Sequence, residues 1–219
     1  MKNTFTLPDQ ETVVDLQAYL QRAKRLDPDG MVRLRAFGPV LAAYVAPIFA
    51  GSLMDSGPTV LGLRTCKLAA EGEVDAVVPI AAVLDRLARL IDLKNEPLLV
   101  NLPAAERASW AGIAPPRAGW EASGTINEAL LTQLAKDGIE EVKNTLPESV
   151  GGPIAARIRG EIWGRGIPVD PRIPTGAAFA AAGLGFLTEG EEVEIYMADG
   201  WLRLSAEHGH VLTKVARHL

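Results

Sequence analysis

"EEVEIYMADGWLRLS", residues 191–205, carries the reading on which the fold class turns. It reads as a β-hairpin. Strands 192–198 and 201–206 meet at Asp199-Gly200, a pair that tolerates the positive φ angles of a two-residue turn. "HVLTKVA" (210–216) adds a strand after it.

Upstream of the hairpin the period changes to that of helices. "TGAAFAAAGLGFL" (175–187) is built almost wholly of small residues and reads as a close-packing helix. Residues 153–163 read as a helix that opens at Pro153, a residue suited to the first turn. Thr125 and Glu128 form a T-x-x-E capping box. The helix they open places Leu131, Ala135, Ile139, Val142 and Leu146 on one stripe, with Gly138 as a weak point. Three helices and a hairpin match the element order of a winged helix. DNA reading by such a module is not expected, because 175–187 has no charged residue and no amide to grip bases or phosphates.

The N-terminal part is mixed. A helix is expected over 9–26, with Val13, Leu16, Leu20 and Ala23 on one face. "MVRLRAF" (31–37), "VLAAYVA" (40–46), "TVLGLRTCKLA" (59–69) and "VDAVVP" (74–79) read as strands. A second helix follows Pro79, with Ile80, Val83, Leu84, Leu87, Leu90 and Ile91 at helical spacing. The fold class is therefore α+β: an N-terminal antiparallel sheet with flanking helices, then C-terminal helices and a β-hairpin, with winged-helix-like order as the finer alternative. The expected organisation is 1–95, a Pro/Gly/Ala-rich connection at 96–124, and 125–219.

Residues 36–54 carry no charge over nineteen positions, close to membrane-spanning length. Gly38, Pro39, Pro47, Gly51 and Ser52 interrupt them, so buried strands with turns are expected and no membrane span. The N-terminus has Pro8, Asp9 and Glu11 where a signal peptide needs an apolar run.

Across 219 residues, 48% are hydrophobic and 22% charged, which suits a packed globular chain and excludes wholesale disorder. A net charge of −5 opposes diffuse binding to nucleic acid or anionic membrane. Cys66 is the one cysteine, so an intrachain disulfide is impossible and a cytoplasmic location is expected. Phosphate loops, nucleophile elbows, H-E-x-x-H and C-x-x-C do not occur in the sequence, and no cofactor is expected. All three histidines, His208, His210 and His218, fall in the last twelve residues. Glu207, His208 and His210 are spaced for metal on an extended strand, but a closed site needs a fourth ligand, so no metal is expected. "GLGF" (183–186) has the letters of a carboxylate-binding loop without its context; Gly183 and Gly185 there suit tight backbone packing.

One candidate site stands out. "APPRAGWEASG" (114–124) sets Arg117, Trp120 and Glu121 on a stiff turn. Arg117 is a fork for carboxylate or phosphate, and an aromatic beside it makes a low-entropy anchor. The same residues also suit a structural clasp, with Trp110 and Trp120 plugging the connection. No nucleophile or general base stands nearby, so no reaction is assigned.

The phrases "RLRAFGPVLAAYVAP" (33–47), "GPTVLGLRT" (57–65), "WAGIAPPRAGWE" (110–121) and "GHVLTKVA" (209–216) together resemble a functionally uncharacterised actinobacterial protein family. That resemblance implies a bacterial cytoplasmic protein and carries no activity, cofactor or site residue. The expected function is a non-catalytic binding or assembly protein with a protein partner or a homo-oligomeric state. The alternatives are an enzyme or small-molecule binder using Arg117, Trp120 and Glu121, and a winged-helix regulator.

Overall fold

The computed structural model describes residues 3–50, 57–91, 97–112, 114–146 and 151–214. The chain forms two compact units. Unit 1 comprises Met1–Ala46 and Leu63–Gly112; unit 2 comprises Pro47–Gly62 and Ile113–Leu219. Among the described residues no helix is long and apolar enough to cross a membrane. The uncharged stretch 36–54 runs along a strand as far as Ile48, and its last residues, 51–54, lie outside the described residues.

Unit 1 begins with β1 (Thr4–Leu7) and α1 (Gln10–Leu26). The Asp9 carboxylate caps α1 by accepting from the Thr12 backbone N–H at 2.7 Å. This meets one of the donors that a helix start leaves unpaired. Val13, Leu16, Tyr19, Leu20 and Ala23 are its buried face.

β2 (Met31–Ile48) is one strand where the sequence suggested two. Val32, Leu34 and Ala36 are buried before Gly38; Leu41, Ala43 and Val45 are buried after it. Gly38 adopts φ 58°, and the buried set moves from even to odd positions there. One residue of slip exchanges the two faces of a strand. β3 (Val60–Pro79) likewise joins the two strands read at 59–69 and 74–79. Arg33 grips Asp75 through Nε at 2.8 Å and Nη2 at 2.9 Å, and its Nη1 donates to the Ala111 carbonyl.

α2 (Ile80–Ile91) starts directly after Pro79 and buries Ile80, Val83, Leu87 and Leu90. The Gln10 side chain donates to the Leu90 carbonyl at 3.0 Å, which meets an orphan acceptor at the end of α2. β4 (Leu98–Asn101) pairs antiparallel with β1. A 3-10 turn at Ser109–Gly112 buries Trp110.

In unit 2, β5 (Glu121–Asn127) leads into α3 (Glu128–Thr145). The cap is Asn127, whose side chain accepts from the Ala129 N–H at 2.9 Å. Thr125 lies in β5, so the capping box of the sequence falls two residues short. α3 buries Leu131, Ala135 and Gly138, whereas Ile139 is 50% exposed.

The burial of Gly138 has a plain cause. α4 (Gly152–Gly164) carries Trp163, and a Cβ on Gly138 would stand 2.3 Å from Trp163 Cζ3. After α4 come β6 (Gly166–Ile167), β7 (Asp170–Pro174) and α5 (Thr175–Gly183). The Trp163 ring meets Phe179 with centroids 4.6 Å apart, and Gly176 approaches the Trp163 backbone. Ala177, Ala178, Ala180 and Ala181 are all buried, which lets α3 and α5 lie close.

α5 ends at Gly185, φ 69°. Phe186 N–H donates to the Ala181 carbonyl and Gly185 N–H to that of Ala182. This is a Schellman stop, and it accounts for "GLGF".

The hairpin lies where the sequence places it: β8 (Glu192–Ala198) and β9 (Trp201–Ala206). Asp199 (φ 48°) and Gly200 (φ 74°) turn it, both with positive φ as a type I′ turn requires. β10 (Gly209–Lys214) pairs with β9, and β5 pairs with β8. The hairpin is therefore flanked on both sides by strands. It is the middle of an antiparallel arrangement β10-β9-β8-β5 and not a projecting wing, so winged-helix-like order does not describe it.

Gly138→Ala tests the packing. Helix propensity alone favours Ala by about 1 kcal/mol. Forcing a methyl into the buried Trp163 ring costs about 1–3 kcal/mol. The expected outcome is a lower urea midpoint for Gly138→Ala; a higher one would show that Trp163 does not need the notch.

Candidate functional site

In unit 2 the buried side of the hairpin is Val193, Ile195, Leu202 and Leu204. The alternating residues Glu194, Tyr196, Arg203 and Ser205 share the other face. Cross-strand register sets Tyr196 opposite Arg203 and Glu194 opposite Ser205 on β8–β9. On β9–β10 it sets His210 opposite Ser205.

The Arg203 guanidinium lies 4.5 Å from the centroid of the Tyr196 ring and 4.7 Å from that of Trp120. Two aromatic rings thus stack on one cation. Trp120 is held in turn by its indole N–H, which donates to the Pro116 carbonyl at 3.1 Å. Tyr196 is held by its hydroxyl, which donates to Glu194 Oε2 at 2.8 Å. That bond also raises the Tyr196 pKa. Arg172 bridges the β5–β8 pair. It is gripped by Asp170 at 2.6 Å and reaches Met197 Sδ and Ser123 Oγ. The Arg172 bond holds the Asp170 carboxyl below its usual value.

Arg203 Nε is buried and has no hydrogen-bond partner. Burial lowers the pKa of the guanidinium, opposed by Tyr196 and Glu194. An unmet buried N–H costs about 1–3 kcal/mol. Two partly exposed ring contacts return about 1–2 kcal/mol together. The two nearly cancel, so folding stability gives little reason for an arginine here.

Of the three residues expected from sequence, Trp120 enters this stack and is half-buried. Arg117 is exposed in the turn after Pro116, and Glu121 is exposed as the first residue of β5, opposite Met197. Trp110 belongs to unit 1 and is buried there. Sequence reasoning missed Arg203 and Tyr196. Counting outward from Asp199-Gly200 pairs them, so a signal was present. The arrival of Trp120 depends on β5 pairing with β8, which no local pattern announces.

Glu207 and His208 form the β9–β10 turn, where the Glu207 N–H donates to Glu191. His210 lies on β10, 3.1 Å from Ser205 Oγ. His218 lies outside the described residues. Among the described residues no group of three or more His, Cys, Asp or Glu side chains converges as a metal site. Cys66, in unit 1, is pushed up to about 11, first by burial and then by Asp15. A protonated thiol is a poor nucleophile. The chemistry this arrangement offers is recognition by a held cation.

The family model described as "Domain of unknown function (DUF8010)" matches residues 1–112. The one described as "Domain of unknown function (DUF8185)" matches residues 115–218. No curated protein matches the chain. Solved structures do. One is a DnaN sliding clamp (DNA polymerase III subunit beta) from Bartonella birtlesii bound to griselimycin. It is 11% identical, covers 99% of this chain and 65% of its own, and has a TM-score of 0.55. A second is a DNA polymerase sliding clamp from Caulobacter crescentus, 13% identical, covering 99% and 66%, TM-score 0.52. A third is a Helicobacter pylori beta clamp bound to DNA ligase peptide, 10% identical, covering 99% and 67%, TM-score 0.50. The chain spans about two thirds of the length of these clamps. At such identities the likeness is one of fold.

His210 gives a titration test. Burial, and secondly the Arg203 charge, hold it below the ordinary histidine value of 6.5. The unfolded chain then binds the proton more readily. The stability from this group is whole above pH ~6.5 and is lost as pH falls through the lower folded value. The expected result is a His210 ring resonance that titrates below 6.5 and moves upward in Arg203→Met. A midpoint at or above 6.5 would contradict the arrangement.

Proposed function

The chain belongs to the family described as "Domain of unknown function (DUF8010)", and we propose that it is a non-catalytic assembly protein that associates with copies of itself and docks protein partners. The observation that carries this is the clamp fold, matched over 99% of the chain. Clamp structures of this fold include one with a bound peptide of another protein, the DNA ligase peptide. The chain's own chemistry agrees: a held cation and a protonated Cys66 suit contact better than turnover.

The face with Trp120 and Arg203, with Arg117 and Glu121 beside it in sequence, is the proposed docking place. A protein partner is favoured over nucleic acid by the net charge of −5, which opposes a phosphate backbone. A cytoplasmic setting in a bacterium is part of the same proposal, consistent with a lone cysteine and with clamp relatives from bacteria.

Sedimentation velocity over about two decades of concentration tests self-association. The expected result is a species heavier than the 23.3 kDa chain whose fraction grows with concentration. A 23.3 kDa species throughout would overturn the assembly reading.

A further inference from the structure

We propose that Arg203 is an anchor for an acidic side chain of a protein partner, held ready by Trp120 and Tyr196. This rests on the reading of the chain as a protein-contact protein and names the partner's chemistry. Three observations lead to it.

The first is the state of the cation. The Arg203 guanidinium lies over two rings, and its Nε–H is sealed from water without an acceptor among the described residues. No hydrogen bond or ion pair joins Arg203 to any described residue. Unlike Nε, the terminal Nη atoms are not among the buried groups that lack a partner. A partly desolvated guanidinium binds a carboxylate more strongly than a fully solvated one, and its planar fork matches two carboxylate oxygens.

The second is what surrounds it. Tyr196, Glu194 and His210 are the titratable groups that act on Arg203 or feel its charge. Glu194 is engaged by the Tyr196 hydroxyl, so the neighbouring carboxylate serves to lock a wall of the stack. His210 is bonded to Ser205 and kept neutral by burial. Glu194 keeps its charge and acts on Arg203 through space, but no ion pair engages the guanidinium fork among the described residues. A guanidinium fork without an ion-pair partner is complementary to a carboxylate.

The third is rigidity. Trp120 is tied to Pro116 and Tyr196 to Glu194, so neither wall must be ordered on binding. Pre-formed walls reduce the entropic cost of a contact. A C-terminal carboxylate is caught by converging backbone N–H groups; here the donor is a side-chain fork, which suits Asp or Glu.

The test is NMR of the full chain, following the Arg203 Nε–H and Trp120 Nε1–H signals. The probe is a short peptide, blocked at both ends, with one Glu; its controls carry Gln instead, or a free C-terminus without Glu, and inorganic phosphate is a fourth probe. The expected result is a saturable shift of both signals with the Glu peptide alone. It is lost in Arg203→Lys, which keeps the charge without the fork, while the backbone spectrum stays folded. No saturable shift, an equal shift with Gln, the free C-terminus or phosphate, or a shift that survives in Arg203→Lys would each overturn the anchor. If the protein self-associates in sedimentation and the titration fails, the anchor alone is rejected. If it stays monomeric and the titration succeeds, the assembly reading alone is rejected.

Discussion

Unit 2 depends on the contact between Trp163 and Gly138. An indole of this size cannot enter a helix–helix seam unless one helix lacks a side chain at the crossing. Gly138 supplies that gap on α3, and the small residues of α5 supply the rest. α3, α4 and α5 are drawn together there, and α5 also meets β10 of the sheet in which Val193, Ile195, Leu202 and Leu204 are buried. Alternation along a strand then turns Tyr196, Arg203 and Ser205 to the opposite face.

The polar groups of the two units do different work. In unit 1, Arg33 and Arg35 are spent on Asp75, and Arg64 on Asp15. These are partly exposed pairs, which contribute little to stability but fix where long side chains lie. In unit 2, Arg165 and Arg172 are likewise paired, with Glu141 and Asp170. Arg203 differs: its contacts are rings, which hold its position without neutralising its charge. In the proposed contact role, a cation held this way stays available to a partner's carboxylate.

Much of the fold was legible in short stretches of sequence. The hairpin turn at Asp199-Gly200, helix α2 behind Pro79 and helix α4 behind Pro153 all follow from local backbone chemistry. The rest needed distant partners. Gly138 reads as a weak helix position until Trp163 is brought against it. Thr125 reads as a cap until β5 claims it by pairing with β8. The strands about Gly38 read as two because a positive φ ordinarily marks a turn, whereas here it shifts the buried face within one strand. Of the candidate site, Trp120 was legible as an aromatic on a stiff turn, and its partner Arg203 was not. The fold likeness itself was out of reach, since an identity of 11% leaves no shared phrase to recognise. The resemblance to an uncharacterised family agrees with the two matched domains of unknown function.

The proposed assembly role turns on how copies of the chain associate. Closed symmetric assemblies bury every copy of an interface, whereas open ones leave an end that keeps adding subunits. Native mass spectrometry of the purified chain distinguishes these most directly. The expected result is one dominant multiple of the 23.3 kDa chain, whose share over single chains grows with concentration while its stoichiometry stays fixed. A spectrum of single chains, or an open ladder of every stoichiometry, would contradict a clamp-like assembly.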